Sequence, residues 1–221
     1  MEDSNQKYDT KSYAYFSQSR QDILPLLPAF SEAVLEVGCG NGATLLWLKQ
    51  VKRAGYTHGL ELFEPMADEA RQWVDEVTLG NVEQLLPTFV ARQYDLILCL
   101  DVLEHLVDPW KVVDECARLL RPGGTIIASI PNMRTAVVLW KLMVKGEFDY
   151  ANEGIMDRTH LRWFTRKTAV ELFQRPGLQV ETCLPTPLAP GSKSDFFNKL
   201  SAGFFRDFVT IQYLISATKN P

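Results

Sequence analysis

The chain has 221 residues, 46% of them hydrophobic, 23% charged and 11% aromatic, which excludes disordered and collagen-like classes. At ~150 residues per domain this length makes one large domain, or a domain with a small appendage, able to bury a core without disulfide or metal staples. Twenty-three Lys+Arg against 27 Asp+Glu leave a formal charge of −4, so long-range attraction to nucleic acid or to an anionic membrane is not favoured.

The opening MEDSNQKYDTKSY is polar and lacks the apolar stretch of a signal peptide, and no run approaches the ~20 apolar residues of a membrane span. Residues 33–37 (AVLEV) read as a buried strand stopped by Gly38, and Thr44 to Lys52 has helical spacing, with Leu45, Leu48 and Val51 on one side. Residues 58–62 (HGLEL) form a second strand, with His58 at a strand edge and without a chemical role. Pro65 opens a second helix through Ala70 and Trp73, and 77–79 (VTL) is a third strand. The run YDLILCL (94–100) is apolar enough for a strand covered on both faces. A helix starts at Asp108-Pro109 and runs to about Leu120. Then 121–124 (RPGG) turn the chain, and 125–130 (TIIASI) are a fifth strand. Beyond it lie a helix near Ala136 to Lys145, an aromatic loop, a helix from Thr165 (N-cap) to Gln174, and strands at Gln179 to Leu184 and Val209 to Thr218. This alternation predicts a mostly parallel α/β sheet with helices on both faces and loops gathered along one carboxyl edge. Cys39, Cys99, Cys116 and Cys183 contain no C-x-x-C pair, which argues against a zinc knuckle and for a reduced, cytoplasmic compartment.

The segment Glu36-Val37-Gly38-Cys39-Gly40-Asn41-Gly42 joins the first strand to the first helix. Glycines there let a ligand approach main-chain N–H groups closely, and the following helix adds its positive end. Glu61, at the end of the second strand, is where an acidic side chain accepts hydrogen bonds from ribose hydroxyls.

These features, in the order VLEVGCGNGATLLWL, GLELFEP, YDLILCLDVLEHLVDP and LLRPGGTIIASIPN, resemble the class I S-adenosylmethionine-dependent methyltransferases of the type 11/23-like kind over roughly residues 30 to 184. The resemblance implies a Rossmann-like seven-stranded sheet with a lid inserted after strand 5. It implies a cap at 1–30 and a methyltransferase domain at 31–221, with the acceptor lid at about 132–164. It also implies S-adenosylmethionine as cofactor and S-adenosylhomocysteine as product. Gly38, Cys39 and Gly40 would meet the methionine portion, Glu61 the ribose, and Asn81 and Val82 the adenine, with Glu36, Gly42 and Leu62 also among the cofactor-binding residues. Leu100 and Asp101 would lie along the cofactor's edge, and Arg20 would meet its carboxylate.

Methyl transfer to a hydroxyl needs a base or a metal. Glu104, His105 and His160 are the candidate catalytic residues. If a helical turn starts near Asp101, then Asp101, Glu104 and His105 share a face and, with His160, make a candidate set for a divalent ion. That pattern looks like the E-x-x-E-H of small-RNA 3′-terminal 2′-O-methyltransferases and of ubiquinone-pathway O-methyltransferases, with Asp101 one methylene short. A metal is not favoured over a histidine base. Arg158 and Arg162 either grip an anionic group on the acceptor or pair with Asp149, Glu153 or Asp157. Phe148, Tyr150, Trp163 and Phe164 either stack on the acceptor or pack the insert onto the sheet.

The segment from Lys145 to Thr165, and the N-terminal Tyr8, Tyr13, Tyr15, Phe16 and Ser19-Arg20, resemble a bacterial subset associated with surface-polysaccharide and natural-product biosynthesis. The expected acceptor is a hydroxyl on a small-molecule or glycan-containing compound, with a monomer or homodimer as the acting unit. The alternatives are a metal-dependent RNA 2′-O-methyltransferase and a non-catalytic cofactor-binding domain.

Overall fold

The structure, a computed structural model, describes residues 17–187, 191, 196, 203 and 205–221. Seven strands form one sheet: β1 (Ser31–Val37), β2 (Ala54–Glu61), β3 (Glu76–Leu79), β4 (Tyr94–Leu100), β5 (Leu120–Pro131), β6 (Leu178–Pro185) and β7 (Gln212–Lys219). Their order is β3-β2-β1-β4-β5-β7-β6. Strands β1 to β5 pair in parallel, and β7 runs antiparallel between β5 and β6.

The apolar run of β4 divides its side chains between two cores. Ile97 and Cys99 join Leu35, Ile126 and Ala128 on one face, with Val112, Val113 and Cys116 of helix α4 (Pro109–Leu119). Leu96, Leu98 and Leu100 join Val34 and Ile127 on the other, with Leu45 and Leu48 of helix α1 (Ala43–Gln50). Successive strand residues point to opposite faces, so a strand buried on both sides must be apolar throughout. Helices α2 (Glu64–Ala70) and α3 (Val82–Leu85) follow β2 and β3. The chain leaves β1 toward β2 and β3, then returns to β1's other side as β4. That reversal of strand order opens a crevice at the carboxyl ends of β1 and β4.

Several elements depart from expectation. The turn at 121–124 is absorbed into β5: Leu120 pairs with Tyr94 and Thr125 with Leu96, so the intervening residues bulge, with Gly123 at φ +78°. Strand β7 starts at Gln212 rather than Val209, because α7 (Arg206–Val209) ends in bonds from Thr210 N and Oγ1 to Arg206 O at 2.9 and 2.8 Å. His58 is buried rather than marginal: its Nδ1 meets Tyr94 Oη at 2.7 Å and its Nε2 meets Thr78 Oγ1 at 2.9 Å.

The insert begins as α5 (Ala136–Trp140), continues as a π turn over Lys141–Lys145, and leaves Val137, Trp140 and Met143 in solvent. Helix α6 (Arg166–Leu172) starts with a capping box between Thr165 and Thr168. Before the sheet, Gln21–Leu26 forms a 3-10 turn. Tyr8, Tyr13, Tyr15 and Phe16, on which the N-terminal cap was expected, lie outside the described residues. No helix among the described residues is long and apolar enough to cross a membrane.

Candidate active site

A cleft of about 760 Å³ opens at the carboxyl edge. Glu36, Gly38, Cys39, Gly40, Glu61, Leu62, Asn81, Val82, Leu100, Asp101, Glu104, His105, His160 and Arg20 all line it. Gly42 does not line it; it is the N-cap of α1.

The neighbouring strand fixes the glycine loop. Gly38 N and Cys39 N both donate to Leu60 O, at 2.8 and 2.9 Å, and Gly40 N donates to Glu61 Oε2 at 2.8 Å. Gly42 sits at φ +77°, and a Cβ there would lie 2.7 Å from Val74 Cγ2, so both backbone and space demand glycine.

Glu61 serves this loop more than expected: besides Gly40 N, its other oxygen accepts from Leu62 N and Phe63 N at 2.9 and 2.8 Å. Burial raises its pKa, opposed by these three amides. The Asn81 side-chain oxygen accepts from Glu83 N at 2.8 Å and caps α3. Glu36 is buried, and its Oε2 has no hydrogen-bond partner among the described residues. Desolvation pushes its carboxyl up to about 8, against a hydrogen bond from Thr44 and the charge of Arg20. A buried carboxyl oxygen without a donor, beside a loop that leaves room for a ligand, fits a group bringing its own positive charge. The sulfonium and ammonium of S-adenosylmethionine are such groups.

Arg20 forms a fork on Asp22, with Nε and Nη2 at 3.0 and 2.9 Å from the carboxylate, and its Nη1 pairs with Asp101. Asp101 also accepts from Gln212 Nε2 and from Ser129 Oγ, the latter at 3.0 Å. The helical turn from Asp101 that would put it on one face with Glu104 and His105 does not form. The φ of Asp101 is +53°, and the turn that follows is a short 3-10 piece, Leu103–His105. A left-handed residue breaks the helical phase, so its carboxylate turns toward Arg20 and Gln212. The four-residue metal set thus contracts to three. Ligand atoms of Glu104, His105 and His160 all lie within 4.8 Å of one another.

The lid brings His160 to this cluster. Leu161 N and Arg162 N donate to Glu104 O at 2.8 and 3.0 Å, and His160 Nε2 lies 3.9 Å from Glu104 Oε1. His105 Nδ1 meets Thr159 O at 3.2 Å and His160 Nδ1 meets Ile155 O at 3.0 Å. A carbonyl can only accept, so each Nδ1 carries a proton, and in the neutral form of either ring the lone pair is on Nε2. Glu104 is 1% exposed, and its Oε2 has no hydrogen-bond partner among the described residues. Desolvation and the charge of Asp101 hold its carboxyl well above the usual range.

The lid aromatics divide. Phe164 is buried in the sheet core, whereas Phe148, Tyr150 and Trp163 cluster at the surface with ring centroids 5.8–6.2 Å apart. Ser129 and Gln212, which hold Asp101, carried no local signal; strand register alone brings them there.

A doubly wound sheet with an antiparallel β7, a glycine loop after β1 and an acidic residue ending β2 are the marks of a class I S-adenosylmethionine-dependent methyltransferase. The family described as "Methyltransferase domain" matches residues 35–128. The chain is similar to the ubiquinone biosynthesis O-methyltransferase of Coxiella burnetii (strain Dugway 5J108-111), 32% identical over 133 residues, covering 53% of this chain and 55% of that one. It is also similar to the enzyme of that name from Erwinia tasmaniensis, 30% identical over 164 residues, covering 72% and 62%. The chain thus spans little more than half the length of these relatives. In three dimensions it resembles a SAM-dependent methyltransferase from Archaeoglobus fulgidus, with a TM-score of 0.67 at 19% identity over 93% of this chain and 97% of that one.

Proposed function

We propose that the chain transfers the methyl group of S-adenosylmethionine to a hydroxyl of a small-molecule or sugar-containing acceptor. The observation that carries this reading is the convergence of His105 and His160 on Glu104 in the cleft that also contains the glycine loop and Glu61. When bound, the cofactor supplies an electrophilic methyl carbon and leaves as S-adenosylhomocysteine. The protein's part is to align the acceptor oxygen, exclude water and take its proton. Either Nε2 lone pair serves as that base, and the two Nδ1–H···O=C bonds fix the rings that present them. Glu61, Gly38 and Gly40 hold the cofactor, with Glu36 toward its positive end. The relatives' name, an O-methyltransferase, supports oxygen as the acceptor atom.

A second reading gives the same three residues a divalent ion, which two imidazoles and a carboxylate suit. The buried, unpartnered Glu104 Oε2 favours it. Its RNA 2′-O-methyl form loses the fourth ligand, because Asp101 is engaged by Arg20 and Gln212. A non-catalytic cofactor-binding domain is disfavoured by the ordered lid that lines the cleft.

Radiolabelled methyl transfer from S-adenosylmethionine into a fractionated host extract, with and without EDTA, tests these readings. Chelator-insensitive label in a small-molecule or saccharide fraction is expected. Chelator-sensitive label in short RNA would replace it with the second reading, and no label in any fraction would overturn both.

A further inference from the structure

The part of the lid that delivers His160 carries two arginines, Arg158 and Arg162, and the structure separates them. Arg162 is a strap: its Nη1 donates to Leu161 O at 3.0 Å, its Nη2 to Val107 O, and its guanidinium lies 6.0 Å from the Trp110 ring centroid. Arg158 is different. It lines the cleft, and among the described residues no carboxylate lies within ion-pair distance of it.

Two of the carboxylates lining the cleft are committed elsewhere. Asp157 is buried and accepts from Thr159 N and Oγ1 at 2.9 and 2.7 Å, folding its own loop. Glu83 accepts from Val107 N and Asp108 N. Arg20, the other guanidinium lining the cleft, is itself neutralised by Asp22 and Asp101.

The backbone that presents Arg158 is built firmly. Arg158 N donates to Ala151 O at 2.9 Å, Ala151 N to Met156 O at 2.7 Å, and His160 N to Asp157 O at 3.0 Å. This loop is the one that delivers His160, so Arg158 stands two residues from the proposed proton acceptor. A planar guanidinium offers paired donors matched to carboxylate and phosphate oxygens.

We propose that Arg158 is a specificity residue that selects acceptors carrying an oxyanion, a carboxylate or a phosphate, near the hydroxyl to be methylated. The inference rests on the methyl-transfer reading for its purpose, and on the lid geometry alone for the anion site.

The test is calorimetric titration of three probes into the full chain saturated with S-adenosylhomocysteine: glucose 1-phosphate, glucuronate and methyl glucoside. The anionic sugars are expected to bind at least tenfold more tightly than the neutral one, with the advantage falling as salt is raised. Arg158→Gln should collapse that ratio toward one, and Arg158→Lys should keep part of it. The two anions against each other distinguish phosphate from carboxylate. An unchanged ratio in Arg158→Gln, no ratio in the wild type, or no binding of any probe would overturn the proposal. Failure of the wild type to bind S-adenosylhomocysteine would instead sink the methyl-transfer reading, and the same three probes titrated into the ligand-free chain then read the anion preference.

Discussion

The imidazoles of His105 and His160 meet edge to face, their centroids 4.6 Å apart and their planes at 73°. One follows β4 and the other arrives on the lid, so the pair exists only when the lid is seated. His160→Ala should therefore leave S-adenosylhomocysteine affinity intact and slow methyl transfer by about 10²–10⁴-fold, the usual contribution of a general base. Isothermal titration paired with single-turnover kinetics reads both quantities. Unchanged turnover would reduce His160 to a fastening of the lid.

Glu104 distinguishes base from metal. Burial pushes its carboxyl up toward the neutral form, and glutamine is the neutral side chain of the same shape. Glu104→Gln should keep turnover within about tenfold, a barrier change under about 1.4 kcal/mol, and EDTA should have no effect on either protein. A large loss in Glu104→Gln together with chelator sensitivity in the wild type would make the cluster a metal centre.

Glu61→Ala should do two kinds of damage. Three backbone amides lose a charged acceptor, at about 1.5–3 kcal/mol for a hydrogen bond to a charged group, so the cofactor-free protein melts earlier. S-adenosylhomocysteine should also bind more weakly, by about 1–3 kcal/mol. Melting curves with and without ligand separate the two effects, and an unchanged ligand-induced shift would remove Glu61 from the cofactor site.

Glu36 makes stability depend on pH in the cofactor-free state. Its folded pKa of about 8 stands above the unfolded carboxylate value of 4.5, so between these limits the folded state binds more protons. The stabilisation from this group is complete below about 4.5 and is lost as pH rises through about 8. The slope it adds is at most about 1.4 kcal/mol per pH unit. Urea unfolding at pH 5, 6, 7 and 8 should show the decline, and Glu36→Gln should flatten it. A variant with the wild-type slope would mean that Glu36 is ionised in the fold.

The strands and the glycine loop were legible because their signals are local. YDLILCL can be little other than a strand covered on both faces, and three glycines within five residues can hardly serve a regular element. Thr165 as a helix cap was legible for the same reason. Asp101 was not, since one left-handed residue changes which side chains share a face and nothing in its neighbours announces it. The partners of Asp101 were equally hidden. Ser129 is on β5 and Gln212 on β7, and only the pairing of those strands brings them near one side chain. The partners of Arg158 and Arg162 were not legible either, because rival ion pairs of similar sequence separation differ only in backbone path.

The carbonyl of Leu60 receives two amides of the glycine loop, and Glu61 receives a third. The shape of the loop is therefore held by the strand beside it, before any ligand arrives. A nucleoside entering the cleft meets a finished wall, so little of its binding free energy is consumed in ordering this part of the chain.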